Sequence, residues 1–334
     1  MALQLKIYKL HFTSPLHIGS VREDYGTSLA TIFSDAMYAA LTACLAKLGK
    51  EIPADGDLGC TISSLFPFYQ KDKQTDAILF LPRPQQTQVK AKDPTKLKEY
   101  KKVCWLELSA FNQAINGGNP FDTCSICGKY LMKPDMSFGV DYDKKPYSDF
   151  VVSQVSERVA IPDRTGHEDA DPFYMDRVSF RDYSGLYFIA DGDCTLLGEA
   201  LRLLALEGIG TDRNVGNGFF EYEKCTVTLD LPKDANHVIA LSSFIPESKE
   251  QFNGMLASDK AAYELQRRGG WITTYPNQSL RKNVIYMLSA GSVFGYQADS
   301  VITLGKIIDL RPDMPEVKHP IWRNGKALFV PIKL

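Results

Sequence analysis

Residues 208–220, GIGTDRNVGNGFF, put four glycines and one arginine into a turn that leaves a helix and enters a strand. The order matters. Nucleotide-binding folds place such glycines after a strand and before a helix, so that phosphate meets a helix N-terminus; here the order is reversed. Gly208, Gly210, Gly216 and Gly218 can adopt positive φ and add no side-chain bulk, which lets backbone N–H groups approach a phosphodiester while Arg213, followed by Asn214, supplies charge. A polynucleotide backbone fits this chemistry. A helix C-cap followed by a strand-entry bulge also uses glycine in this way.

Working outward, Leu196 to Leu206 has a helical stripe of Leu197, Leu201 and Leu204, preceded by a strand at Gly185 to Ala190 and followed by one at Phe219 to Leu229. Of Phe219 and Phe220, alternation sends one inward and leaves the other to stack on a base. At the N-terminus, Leu3 to Phe12 is a strand whose apolar phase slips from Leu3, Leu5 and Ile7 to Tyr8, Leu10 and Phe12, as a bulge or burial on both faces would require. Ser28 to Leu48 is helical, ended by Gly49, and Ala77 to Leu81 is a strand closed by Pro82 and Pro84. The order β-α-β, long insertion, β-α-β predicts an α+β fold with a ferredoxin-like (RRM-like) domain over residues 1–231, interrupted at about 84–182. Residues 232–334 carry strands at His237 to Phe244, Asn283 to Leu288, Lys306 to Leu310 and Ala327 to Ile332 and a helix near Glu247 to Leu256, spaced like a second, degraded copy.

The insertion holds a lysine-rich segment, Lys90 to Lys102, and a long β-hairpin over 151–181 in which Arg158, Arg164, Arg177 and Arg181 alternate with Phe173, Tyr174 and Phe180. Arginines with aromatics clamp phosphates and stack on bases, although an ordinary twisted hairpin has the same composition. The net charge of −2 over 334 residues argues against a free-standing polyanion binder, so any RNA contact is local or shared with partners. The N-terminal strand lacks the features of a signal peptide, no apolar run is long enough for a bilayer, and seven scattered cysteines point to reduced thiols in the cytoplasm. Cys124 and Cys127 form half a zinc knuckle without a second pair, so no metal or other cofactor is expected.

Chemistry is sparse. His17 in SPLHIGS, flanked by Gly19 and Ser20, sits on a glycine loop where it can act as an acid or base in RNA cleavage, bond a phosphate or base, or cap the loop. Ser34 and Asp35 fall on the polar face of the first helix, where Ser34 is a candidate RNA contact and a solvated face is the default. The P-loop, HExxH and GxSxG patterns are absent, which favours binding over catalysis.

SPLHIGS (14–20), FSDAMYAAL (33–41), SLFPF (64–68), LFLPRP (79–84), ERVAIPDRTG (157–166), the glycine segment and SAGSVF (289–294) follow one another along nearly the whole chain. In this order they resemble the fourth subunit of the Csm complex, the type III-A CRISPR effector, within the RAMP superfamily. The resemblance implies two ferredoxin-like domains that hold the 5′ handle of the CRISPR RNA, contact the large polymerase-like subunit on one side and the first RAMP backbone subunit on the other, and cut nothing. Carried over by position, it puts His17, Gly19 and Ser20 beside the handle with the Arg213–Asn214 loop, and Arg158 and Arg164 on a hairpin that wedges against the guide. A metal-independent RNA-processing endoribonuclease built around His17 is the competing reading.

Overall fold

The computed structural model describes residues 1–19, 25–85, 95, 97–140, 143–160 and 171–334. The first half begins with β1 (Ala2–Phe12), α1 (Ser34–Lys47), β2 (Cys60–Ile62) and β3 (Phe66–Tyr69). The insertion follows as β4 (Ile78–Pro82), α2 (Leu97–Lys102), β5 (Trp105–Glu107), α3 (Leu108–Ile115), β6 (Ser125–Cys127), β7 (Tyr130–Met132) and the hairpin β8 (Val151–Ala160) with β9 (Asp171–Phe180). The chain then returns through β10 (Gly185–Gly192), α4 (Thr195–Glu207) and β11 (Phe220–Asp230). These strands build one sheet in the order β11-β1-β10-β3-β4-β5-β7-β6, with β2 also paired to β10. The β8–β9 hairpin stands apart as its own two-stranded ribbon, antiparallel from Val151 opposite Phe180 to Ala160 opposite Asp171.

β1 is the centre of this sheet and explains its own sequence. It pairs with β11 without interruption from Ala2 opposite Asp230 to Phe12 opposite Phe220, so the slip in apolar phase is no bulge. Leu5 and Ile7 face one core, with Tyr187 and Ile189 of β10 and residues of the C-terminal unit; Tyr8 and Leu10 face the other, with α1 and α4. A strand covered on both faces needs apolar residues of both parities. α1 begins six residues later than its periodicity predicts: Ser28 is held in the preceding loop, where its Oγ accepts from Ile18 N–H at 3.0 Å.

The C-terminal half comprises β12 (His237–Ala240), α5 (Lys249–Leu256), β13 (Leu265–Arg268), β14 (Ile285–Leu288), β15 (Val293–Gly295), β16 (Ile302–Leu304), β17 (Ile307–Asp309), β18 (Trp322–Asn324) and β19 (Ala327–Ile332). β15-β12-β19-β16 form a four-stranded sheet, and β13–β14 and β17–β18 are separate ribbons. From residue 232 onward α5 is the one α-helix, where the expected pattern has two. The stretch between β17 and β19 carries Pro312, Pro315, Pro320 and Gly325, which disfavour a helix there.

The two halves are joined through α1. Ser34 and Asp35 are 4% and 0% exposed, not on a solvated face, because the C-terminal unit covers the start of the helix. Ser34 Oγ accepts from Ser243 N–H at 2.8 Å, and the Asp35 carboxylate accepts from Arg268 Nε at 2.8 Å, from Arg323 Nη1 and from Ser243 Oγ at 3.2 Å. Ser34 is therefore a packing residue of this junction, and its candidacy as an RNA contact is corrected. Burial alone would push the Asp35 carboxyl up; the two guanidiniums outweigh it and hold it below the ordinary carboxylate range.

Removing one member of such a pair leaves buried cations uncompensated, so Asp35→Asn is expected to lower unfolding free energy by about 3–5 kcal/mol at pH 7 in urea titrations. Because the folded-state pKa is depressed, this contribution is complete above the ordinary Asp value. The gap between wild type and variant should therefore narrow as pH falls below about 4. A difference under about 1 kcal/mol at pH 7 would show the junction to be energetically idle.

Candidate nucleic-acid interface

At the end of α4 the chain turns through Gly208 at φ +78° and runs back-to-back with the loop that follows β1. Ile209 N–H donates to Gly218 O at 2.9 Å, Gly218 N–H to Pro15 O at 2.8 Å, Thr211 N–H to His17 O at 3.0 Å and Phe219 N–H to Ser14 Oγ at 2.8 Å. Thr13 N–H returns a bond to Phe219 O at 2.9 Å. The approach is too close for side chains: a Cβ on Gly218 would lie 1.9 Å from Ile209 O, and one on Gly210 would lie 2.4 Å from His17 O. Gly216, at φ +97°, has open space around it. The glycines thus serve backbone packing first, and of the glycine N–H groups expected to approach a phosphate, those of Gly208, Gly216 and Gly218 are engaged within the protein. The groups left facing outward are side chains: Arg213, half-buried, and Asn214, exposed, on the short 3₁₀ turn Arg213–Val215.

The same loop packs on its other side against the hairpin. Leu16 and Val178 exchange backbone hydrogen bonds at 2.7 Å in both directions. His17 is 1% exposed, with Nδ1 2.7 Å from Asp176 O, so the expectation of a histidine on an open loop is corrected: the imidazole is buried between hairpin and glycine segment. Gly19 is exposed, while Ser20 and Arg164 lie outside the described residues. Arg158, half-buried on β8, stands opposite Phe173 of β9. Phe220 is the inward member of the aromatic pair, its ring 5.7 Å from that of Phe12, and Phe219 is half-buried.

Three separate stretches, 13–19, 171–180 and 208–220, therefore meet in one place, and the residue that organises them is one that sequence reasoning passed over. Asp176 is 6% exposed; its carboxylate accepts from Ser28 N–H at 2.9 Å and Ser153 Oγ at 2.5 Å, and its N–H donates to Tyr25 O at 2.8 Å. An aspartate in mid-strand is a poor strand former, which was the available signal. Tyr25 was missed as well: 42% exposed, its ring lies 5.9 Å from His17 and 5.6 Å from Phe173. Tyr174, 64% exposed on the hairpin, is a second exposed ring. This is an arrangement that can stack bases and pair with phosphates.

The cysteines of the half-knuckle do not converge. Cys124 packs on the core that contains Phe121 and Leu131, whereas Cys127 packs on the Phe80–Tyr130–Phe150 cluster and its thiol approaches Tyr147 O at 3.5 Å. Burial pushes both thiols up. Lys98, Lys101 and Lys102 of the lysine-rich segment are solvated on α2, and no helix among the described residues is long and apolar enough to cross a membrane.

Residues 233–332 match the family model of the CRISPR Csm4 C-terminal domain. Over these residues the chain is similar to the Csm4 family. It is 30% identical over 184 residues to the "CRISPR system Cms protein Csm4" of Mycobacterium tuberculosis (strain CDC 1551 / Oshkosh), a match that covers 54% of this chain and 57% of that protein. The Streptococcus thermophilus protein of the same name is 27% identical over 175 residues, covering 50% of this chain and 54% of the relative. The chain thus spans about half the length of the curated relatives it matches. Among solved structures, a chain of the Csm1–Csm4 cassette in complex with cA4 superposes with a TM-score of 0.60 at 16% identity over 99% of both chains. One from the Csm3–Csm4 subcomplex of the type III-A CRISPR-Cas interference complex gives 0.60 at 15% identity, over 99% of this chain and 100% of that one. These last likenesses are of fold, a mixed α+β architecture with one large sheet and few helices.

The geometry separates two glycines by substitution. Gly218→Ala must displace the Ile209 carbonyl and should cost several kcal/mol, whereas Gly216→Ala meets no neighbour and should cost only about 1–2 kcal/mol for its left-handed backbone. Equal losses in urea unfolding would contradict the close approach.

Proposed function

We propose that this chain is a non-catalytic RNA-binding subunit of a type III-A CRISPR effector. In this reading it holds the 5′ handle of the CRISPR RNA and bridges the large polymerase-like subunit and the RAMP backbone subunits in antiviral defence. The observation that carries the reading is the meeting of the 13–19 loop, the β8–β9 hairpin and the 208–220 segment in a protein whose residues 233–332 match the Csm4 C-terminal domain. The partners come from relatives crystallised as a Csm1–Csm4 cassette and a Csm3–Csm4 subcomplex. The strand order β11-β1-β10-β3, with α1 and α4 on one face, supports a ferredoxin-like first domain over residues 1–231 with its insertion at about 84–182. Residues 232–334 form the second domain, joined to the first at Asp35.

The handle is read as single-stranded RNA, with backbone contacts that set position and base contacts that set identity. Arg158, Arg213 and Asn214 supply the polar contacts, with Arg164 and Ser20 adjoining them in sequence. Tyr25, Tyr174 and Phe219 supply ring faces. Gly19, Gly210, Gly216 and Gly218 keep the two loops thin enough for a strand to pass. His17 acts as the pin between hairpin and loop, and its burial argues against service as an acid or base at a scissile phosphate. The near-neutral charge fits a subunit that shares its RNA with neighbours.

Charge reversal at the interface is the test. In the assembled complex, Arg213→Glu and Arg158→Glu should each weaken retention of CRISPR RNA by about tenfold or more, with folding preserved by circular dichroism. Undiminished retention in both variants would remove the interface from this role.

A further inference from the structure

The junction at Asp35 holds more positive charge than its one carboxylate neutralises. Arg268 and Arg323 bond Asp35 directly, and Lys282, just ahead of β14, feels all three groups. Three cations face one anion. Arg323 Nε is buried without an acceptor, and the Lys282 ammonium has no hydrogen-bond or ion-pair partner among the described residues. Burial, reinforced by the guanidiniums of Arg323 and Arg268 and only partly offset by Asp35, lowers Lys282 to about 8. An unpaired ammonium in such a place is costly, and an anion beside it removes that cost.

Lys282 also forms part of the wall of a cavity of about 350 Å³ between α1 and the C-terminal unit. Ala43, Ile52 and Trp322 give the cavity apolar sides. The His319 ring in its lining is already engaged: Nε2 lies 2.9 Å from Thr274 Oγ1, and Nδ1 lies 3.0 Å from Pro320 O. Lys282 is thus the lining cation without a partner. The volume is at the small end of ligand pockets, which run from roughly 300 to 1,000 Å³.

We propose that this cavity binds a small organic anion, a carboxylate or a phosphate monoester on an apolar body, with its charged end on Lys282. The cavity shares no lining residue with the RNA interface described above, and its occupancy does not depend on that reading.

The test uses the full chain and two probes, benzoate and phenyl phosphate, titrated by calorimetry at pH 7 beside phenol and inorganic phosphate. At least one aromatic anion should bind with a Kd below about 1 mM and at least about tenfold more tightly than either half-probe; the tighter of the two identifies the headgroup. Lys282→Gln should weaken it by about tenfold or more while Lys282→Arg retains it. Ala43→Phe, which fills the cavity and leaves the charges alone, should abolish it in protein shown to be folded by circular dichroism. Absence of binding by both aromatic anions, or binding that Lys282→Gln and Ala43→Phe leave intact, would overturn the proposal.

Discussion

The backbone of residues 208–219 lies directly on that of residues 13–18, at a separation that a side chain on Gly210 or Gly218 would prevent. The end of α4, the entry to β11 and the loop after β1 all take their positions from this contact. The hairpin joins it through the paired Leu16 and Val178 and through Asp176, which bonds the loop at His17, Tyr25 and Ser28. A surface assembled from three distant stretches is thereby held as one unit before any ligand arrives, which lowers the ordering cost of binding an extended strand. The same contact sets the chemistry that remains outside. With inner amides engaged, arginine, asparagine and tyrosine side chains stand around the rim.

The second constraint lies at the start of α1. Asp35 accepts from two arginines that reach it from β13 and β18, so two strands of the C-terminal unit and the first helix share one buried charge. Buried ion pairs are weak sources of net stability, but removing one partner leaves an uncompensated buried charge and is strongly destabilising. Here the arrangement defines how the two halves meet. The hydrogen bonds of Ser34 to Ser243 and of Ser242 to Ile62 reinforce it.

What the sequence made legible was local. The strands at the ends of the first unit, the α4 stripe, the hairpin and the order of elements follow from periodicity and turn residues, and the motifs that carry the family resemblance are contiguous. What it hid was long-range. Asp35 looks like part of a solvated face because its own helix gives it no partner, and the partners are 233 and 288 residues away. His17 looks exposed because glycines flank it, yet two other segments close over it. The glycine run signalled a close approach without saying to what, and the answer was chiefly the protein itself. Asp176 and Tyr25 escaped notice because neither belongs to a run or motif; each matters only through what folding brings beside it. The second unit kept its strands but holds one α-helix where a full copy of the first pattern would have two, and proline and glycine interrupt the stretch between β17 and β19.

The claim that most needs a direct measurement is that these three stretches face the constant end of the guide. In the complex assembled with its neighbouring subunits, a photoreactive uridine placed within the 5′ segment of the CRISPR RNA can be cross-linked and the attached peptides identified by mass spectrometry. Cross-links to peptides spanning 13–25, 171–180 or 208–220 of this chain are the expected result. Cross-links confined to other surfaces of the chain, or to the other subunits alone, would contradict it.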